Sequence, residues 1–394
     1  LRLVSAVFFL ALAPLTVLFL PYDASIKSGV LITAVAYLFV ALNQILVGLF
    51  QKELRMDKVA IAETAGRTML VAGAILAVYF KAGLLGILLA TIVGSGVSFL
   101  IHYLFSLSFA RLKFRFELGV WKSIIKKSWP LSITIVLNLI YMRADTLLLS
   151  LLPRPSAVGI IAEVGLYGAA YKVIDIISTV PFMLSGIVLP ILTVAWAEEN
   201  RPGFARALQK TFEMMAIIAI PLAVGAQFVA KDLIVLVAGP GFEASAPILQ
   251  ILILAIFFIF LGNIFSHAII AIDKQAKTIP AYLFTAATAV VGYLIFIPRY
   301  AYFGAAWVTI YSEFIIAAAA VYFVWKYSSF FPDLVILVKS LGAALIMAIA
   351  IVILKNFQNY SIISVLVISP IVYFLFLYLF RGLDKKDLLL LVNK

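Results

Sequence analysis

The chain has no cysteine. Disulfides, thiolate nucleophiles and cysteine-based metal sites are therefore excluded. Histidine is almost absent: His102 and His267 are the only two, and both fall near the ends of apolar runs. A histidine-rich metal centre has no ligands to draw on. Charge is scarce as well, 12% of residues against 65% hydrophobic. The first apolar run lacks a basic start and a small-residue cleavage site, so it does not read as a signal peptide. No connection between apolar runs exceeds about 22 residues, which leaves no room for an extramembrane domain. No Ser/His/Asp set, metal cluster or glycine-rich phosphate loop stands in a fitting context. Neither an enzyme nor a cofactor is expected.

What remains is apolar sequence in long pieces. Runs of about 20 residues or more fall at 3–20, 29–50, 59–80, 83–106, 128–152, 164–192, 211–230, 246–271, 279–297, 303–325, 336–354 and 361–380. Each is long enough to cross a hydrocarbon core as a helix. The expected fold is an all-α polytopic membrane protein with 12 transmembrane helices. The net charge of +12 would suggest nucleic acid in a soluble protein, but its distribution has a simpler cause. One set of connections carries Lys52, Arg55 and Lys58, then Arg111, Lys113, Arg115, Lys122, Lys126 and Lys127, then Arg201, Arg206 and Lys210, then Lys274 and Lys277, then Lys326 and Lys339. The C-terminal Arg381, Lys385, Lys386 and Lys394 join that set. The alternate set has one basic residue each: Lys27, Lys81, Arg154, Lys231, Arg299 and Lys355. The positive-inside rule places the first set and the C-terminus in the cytoplasm, as for a multi-pass protein of the inner (plasma) membrane. The segment 106–129 interleaves Phe109, Phe114, Phe116 and Trp121 with basic residues, a composition that suits a helix at the inner interface and equally a basic linker.

The sequence also repeats itself. Residues 49–92 resemble 264–310: Asp57-Lys58 corresponds to Asp273-Lys274 at an offset of 216, and Gly86 and Thr91 correspond to Gly304 and Thr309 at 218. Both Asp-Lys turns fall on the same expected side, so the copies are parallel, an arrangement used by transporters. Four spans precede the turn in the second copy and two in the first. The expectation is an N-terminally truncated fragment, two helices short of fourteen. The domains expected are a first bundle over 1–106 lacking its first two helices, a cytoplasmic interfacial linker over 107–127, a second six-helix bundle over 128–327, and two additional helices with a tail over 328–394.

Several motifs carry a family resemblance. They are LFQKELRMDKVAIAE (49–63), the Pro-headed SWPLSITIVLNLIYMRADTLLLSLL (128–152), VGLYGAAYKVID (164–175) followed by Pro181 and LPIL (189–192), and GPGFEASAPILQIL (239–252). In this order the chain resembles the polysaccharide biosynthesis proteins, the lipid-linked oligosaccharide flippase branch of the multidrug/oligosaccharidyl-lipid/polysaccharide exporter superfamily. The resemblance implies transfer of an undecaprenyl-type lipid-linked saccharide from the inner to the outer leaflet. Its partners would be that substrate, membrane lipid and other polysaccharide assembly proteins, with no nucleic acid. An ion-coupled multidrug exporter of the same superfamily is the alternative. The two helices after the second bundle, and two intramembrane cations, argue against it. A polymerase or ligase would need an outer catalytic loop, and the longest outer connection, near 153–163, has about ten residues.

Those cations belong to a quartet of buried charges. Arg143 and Asp145 sit in one span, Lys172 and Asp175 in the next, roughly 12 Å from the turn between them at 1.5 Å per residue. Ionisable groups at that depth are costly and mark candidate functional residues. On a helix Arg143 and Asp145 are about 200° apart and cannot share a face, while Asn138 shares a side with Asp145. Lys172 and Asp175, at i and i+3, can pair within their helix. Tyr167, Tyr171, Asp175 and Ser178 form a stripe that would suit a cavity wall. One reading has the cations neutralising the aspartates and locking two helices together. The other sets Arg143 and Lys172 against a lipid pyrophosphate, with Tyr171 and Asn138 beside them and Asp145 and Asp175 available for a coupling ion. Glu63 and Arg67 are spaced to pair at i, i+4; either they neutralise one another, or Arg67 meets a headgroup. Glu313 lies near mid-span with no cation on its own helix and is the third candidate for ion coupling. Glu213 and His267 lie near span ends, where an interfacial explanation suffices. Pro14, Pro130, Pro181, Pro221 and Pro370 fall within or at the head of spans and permit bends.

Overall fold

A computed structural model describes residues 2–53, 55–109, 117–356 and 361–382. Phe114, Phe116 and the basic residues of 111–115 lie outside the described residues, as do Lys385, Lys386 and Lys394. The described chain is helical from end to end: α1 (Arg2–Leu18), α2 (Ala24–Lys52), α3 (Met56–Tyr79), α4 (Gly83–Ser106), α5 (Leu118–Leu151), α6 (Ile160–Ala197), α7 (Arg201–Ala238), α8 (Ala246–Ala271), α9 (Ile279–Ser328), α10 (Val335–Lys355) and α11 (Ile362–Leu379). Helix α9 is broken at Ala301, whose φ of 50° and ψ of −134° are not helical, so the described residues hold twelve helices. The apolar runs of the sequence all become helices.

The helices outgrow the apolar runs. Helix α7 begins at Arg201 rather than near 211, because Asn200 caps it, its side chain accepting from the Gly203 amide at 2.8 Å, with a proline in the first turn; both features start helices. Helices α6 and α7 have 38 residues each, roughly 57 Å at 1.5 Å per residue and well beyond a hydrocarbon core. Residues from 118 onward in the basic linker form the first turns of α5.

The chain divides into two compact units, residues 1–126 and 127–394. In the first, α3 and α4 form an antiparallel hairpin closed by small residues. Their backbones meet at Gly66 against Gly94 and Ser98, at Gly73 against Ala90, and at Gly86 against Ala77. A Cβ on Gly66 would lie 2.8 Å from the Gly94 carbonyl oxygen, so only glycine allows this approach. Small residues at the contact are how helices associate where lipid removes the hydrophobic drive. Helix α2 packs on α4, and the Asn43 amide donates to the Ser98 hydroxyl at 3.2 Å. His102 is fully buried beneath Phe50, its Nδ1 2.9 Å from the Ser98 carbonyl oxygen.

The second unit is built around α8. This helix is apolar on every side and buried on most of them, the pattern of a central rather than a surface helix. It packs against α6, α7 and α9. Gln227 and Gln250 tie α7 to α8 reciprocally, each side-chain amide donating to the other's backbone carbonyl at 2.9 and 2.8 Å. Helices α10 and α11 pack on α7. Lys355 binds Asp232 at 2.7 Å, and the Tyr373 hydroxyl donates to the Ile217 carbonyl at 2.9 Å. The arms of α9, 279–300 and 302–328, fold back on each other: Gly292 meets Val308, Tyr311 donates to Thr288, and Gly304 presses on the Phe296 backbone.

The two similar segments thus each form a hairpin, turning at Lys81 and Gly83 (φ 54° and 59°) in one and at Ala301 in the other. Their Asp-Lys turns differ. Asp57 lies in the first turn of α3, held by Arg55 through two bonds of 3.0 Å. Asp273 instead has a left-handed φ of 56°, and a 3₁₀ turn, Gln275–Thr278, precedes α9.

Candidate functional site

The α5–α6 hairpin carries the charge quartet, and its turn is fixed by a pair outside that quartet. Arg154 donates to Glu163 from Nε (2.9 Å) and Nη2 (2.6 Å), and from Nη1 to the carbonyls of Leu149 and Leu152. The guanidinium caps the end of α5 while Glu163 sits in the first turn of α6, each at the helix end its charge favours. The side chains are only 1% and 7% exposed.

Deeper in the hairpin, Arg143 pairs with Asp175 across the two helices, Nη2 to Oδ1 at 2.9 Å, and lies over the Tyr171 ring at 5.0 Å. Lys172 does not take Asp175, although the i, i+3 spacing permits it. It is exposed and forms no ion pair among the described residues. The Arg143 side chain remains 53% exposed, so its guanidinium is oriented by Asp175 and Tyr171 but not enclosed.

Asp145 faces the other way and is fully buried. Its carboxylate accepts from the Tyr167 hydroxyl at 2.7 Å and from the amide and hydroxyl of Thr146. Tyr167 also reaches Thr309 at 3.4 Å, and Tyr293 donates to the Tyr141 carbonyl at 2.9 Å and contacts Thr309 at 3.3 Å. Buried charge is tolerable only when so satisfied. Tyr167 and Tyr171 of the stripe thus make contact with α5, where Tyr171 also donates to the Met142 carbonyl.

A cavity lies on another side of α5. Its volume is about 270 Å³, and it is lined by α5, Phe182 of α6, α8, the turn before α9 and both arms of α9. Among the predicted residues it holds Asn138 and Glu313. The Asn138 amide donates to the Tyr141 hydroxyl at 2.6 Å. Glu313 is 6% exposed, and among the described residues its Oε1 has no hydrogen-bond partner, nor do Asn263 Oδ1 and Gln275 Oε1. His267 also lines the space, its Nδ1 2.9 Å from the Asn263 carbonyl oxygen.

The predicted site residues fall into separate groups. Arg143, Tyr171, Lys172 and Asp175 share one flank of the α5–α6 pair, Asp145 a buried network, and Asn138 and Glu313 the cavity. Arg67 belongs to the first unit; it is exposed and forms no ion pair with Glu63 among the described residues. The cavity residues Tyr141, Asn263, Ser266, Gln275 and Tyr282 are not singled out from sequence, and His267 is read there as interfacial. One signal was present, since Asn263, Ser266 and His267 recur at i, i+3 and i+4 in an otherwise apolar helix. Among the described residues no three His, Asp or Glu side chains converge as a metal site.

Comparison with known proteins sets these groups in a family. No curated protein sequence matches the chain significantly. Among solved structures, the chain is similar to the lipid II flippase MurJ in an inward closed conformation, with a TM-score of 0.77 and 17% identity, covering 98% of this chain and 82% of that one. It is also similar to a MATE protein in its bent conformation, with a TM-score of 0.58 and 13% identity over 83% of this chain and 77% of that one. Residues 2–247 match the family model described as polysaccharide biosynthesis protein, which is more than half of the chain. The chain belongs to that family, as a multi-pass membrane protein with a fold similar to those two solved structures.

Proposed function

We propose that the protein moves a lipid-linked saccharide, joined to its lipid through a pyrophosphate, from the inner to the outer leaflet of the plasma membrane by alternating access, for surface polysaccharide assembly. It acts as a transporter and carries out no chemistry on the substrate. The C-terminus is cytoplasmic, in keeping with the charge alternation of the connections. The family match and the MurJ-like fold support the reading. Its organisation is two parallel-repeat bundles followed by the α10–α11 pair.

The observation that carries the substrate class is Arg143. A guanidinium aligned by Asp175 and Tyr171, yet half exposed beside the unpaired Lys172, has free donors in the fork geometry that phosphate oxygens accept. Arg67 in the first unit is the corresponding headgroup contact there. Asp145 and Asp175 are the carboxylates of this hairpin through which an ion gradient acts. The likeness to a MATE protein and the carboxylate of Glu313 in a cavity without Lys or Arg favour the second reading, an ion-coupled multidrug exporter.

The test is export of surface polysaccharide by cells whose own copy is replaced with Arg143→Ala plus Lys172→Ala. Loss of two charged contacts lowers export by about a hundredfold, with the protein still present at normal level in the membrane. Normal export at normal abundance overturns the pyrophosphate contact. Unchanged export with altered drug resistance in the deletion strain selects the exporter reading.

A further inference from the structure

The cavity around Glu313 is chemically unlike the Arg143 flank. It has no Lys or Arg in its lining. Three of its oxygens, Glu313 Oε1, Asn263 Oδ1 and Gln275 Oε1, are buried and without partners. An unpartnered buried acceptor is unfavourable, and the three residues that carry these oxygens all line one space. The Gln275 amide is already engaged with Asp273 at 3.0 Å, so turning that amide over gives up one bond to make another. What such a space lacks is hydrogen-bond donors, several of them, carried by a polar group without negative charge.

We propose that this cavity binds the sugar end of the transported molecule, and that Glu313 restricts it to neutral or amino sugars. Sugar hydroxyls donate several hydrogen bonds from one ring, and an ammonium substituent adds charge complementary to the carboxylate. The half-buried Tyr282 ring, packed against Tyr141 with centroids 6.4 Å apart, supplies the apolar face against which a sugar's C–H face rests. An acidic sugar would bring its carboxylate toward Glu313 with no cation between them. The assignment rests on the flippase reading for the identity of the cargo, with phosphate contacts on the Arg143 flank and sugar contacts here.

The test uses the full chain in lipid nanodiscs and photo-reactive diazirine derivatives of glucosamine and galactose, with labelled peptides mapped by mass spectrometry. Labelling is expected within 134–142, 258–282 and 313–320, competed by free glucosamine or galactose. Glucuronic acid should compete about tenfold more weakly, since it keeps its ring hydroxyls but brings a carboxylate toward Glu313 in a lining without Lys or Arg. Glu313→Gln should narrow that tenfold gap, and Asn263→Leu, which keeps the charge, should weaken labelling by all sugars equally. Labelling that maps elsewhere, equal competition by glucuronic acid, or protection by sodium chloride and by no sugar overturns the proposal. Wild-type labelling that persists while the cells' polysaccharide export proves independent of the protein upholds the sugar site and removes the flippase reading. Export that falls in the Arg143 and Lys172 variants while no sugar labels the cavity does the reverse.

Discussion

Arg154 and Glu163 meet at 2.6 Å across the α5–α6 turn, both almost wholly buried. The arginine has four of its hydrogen bonds on this one turn, two to the carboxylate and two to carbonyls that end α5. Removing the carboxylate leaves a buried guanidinium with only the carbonyls as partners. Breaking a buried pair from one side costs about 3–5 kcal/mol. Glu163→Ala is therefore expected to lower the thermal midpoint in detergent markedly, and Glu163→Gln, which retains one acceptor, by less. Arg154→Lys should also destabilise, because an ammonium cannot reproduce the fork. Equal midpoints for wild type and Glu163→Ala would show that the clamp contributes nothing.

The break in α9 concentrates conformational strain in one residue. Ala301 holds φ at 50°, a region that costs an L-residue about 1–2 kcal/mol. Gly83 occupies the turn of the α3–α4 hairpin at φ 59°, where glycine bears no such cost. Ala301→Gly is expected to raise stability by about 0.5–1 kcal/mol, and Ala301→Val to lower it. Three residues on, the sign reverses: a Cβ at Gly304 would stand 2.4 Å from the Phe296 carbonyl oxygen, so Gly304→Ala forces the two arms apart. Chemical denaturation of the three variants in detergent, with circular dichroism as the readout, checks the ordering.

The spans were legible because their signal is length and apolarity, and both survive without knowledge of contacts. Helix ends were less so. Arg201, Arg206 and Lys210 look like a loop by charge, yet Asn200 with Pro202 is a capping pattern that outweighs charge. The site was half legible. Rotation about a helix separates Arg143 from Asp145 without any structure, and the two do diverge, one exposed and one buried. The partner of Asp175 was not legible. Spacing within α6 offers Lys172, but the choice of Arg143 depends on how far α5 and α6 are displaced along each other. The Arg154–Glu163 clamp is hidden for the same reason, since the eight irregular residues 152–159 between the helices carry no periodicity. The cavity is hidden most deeply, because its walls come from residues as far apart as Asn138 and Glu313.

The network at Asp145 can be dissected by single atoms. Tyr167→Phe removes the hydroxyl that donates to the carboxylate at 2.7 Å and leaves the ring in place. The lost donor should cost about 1–3 kcal/mol. Asp145→Asn keeps the shape and removes the charge, so the combined change should cost less than the two alone. A double-mutant cycle on thermal stability in detergent reads the coupling directly. Additive effects would mean that the hydroxyl and carboxylate do not act on one another.

The Arg143–Asp175 pair separates position from pairing. Its side chains are 53% and 36% exposed, and an exposed ion pair is worth about 0.2–1 kcal/mol, so breaking it should leave stability nearly unchanged. Asp175→Asn frees the guanidinium from its orienting partner while leaving Tyr171 beneath it. Export should then fall by about tenfold, in keeping with one lost charge-assisted contact, without loss of protein from the membrane. The exchange Arg143→Asp with Asp175→Arg restores the pair with its polarity reversed and carries the cation from α5 to α6, beside Lys172. A pair that only locks the helices would regain full export in the exchanged protein. A guanidinium that must reach a substrate from α5 would not, and the exchanged protein should be no more active than Arg143→Ala.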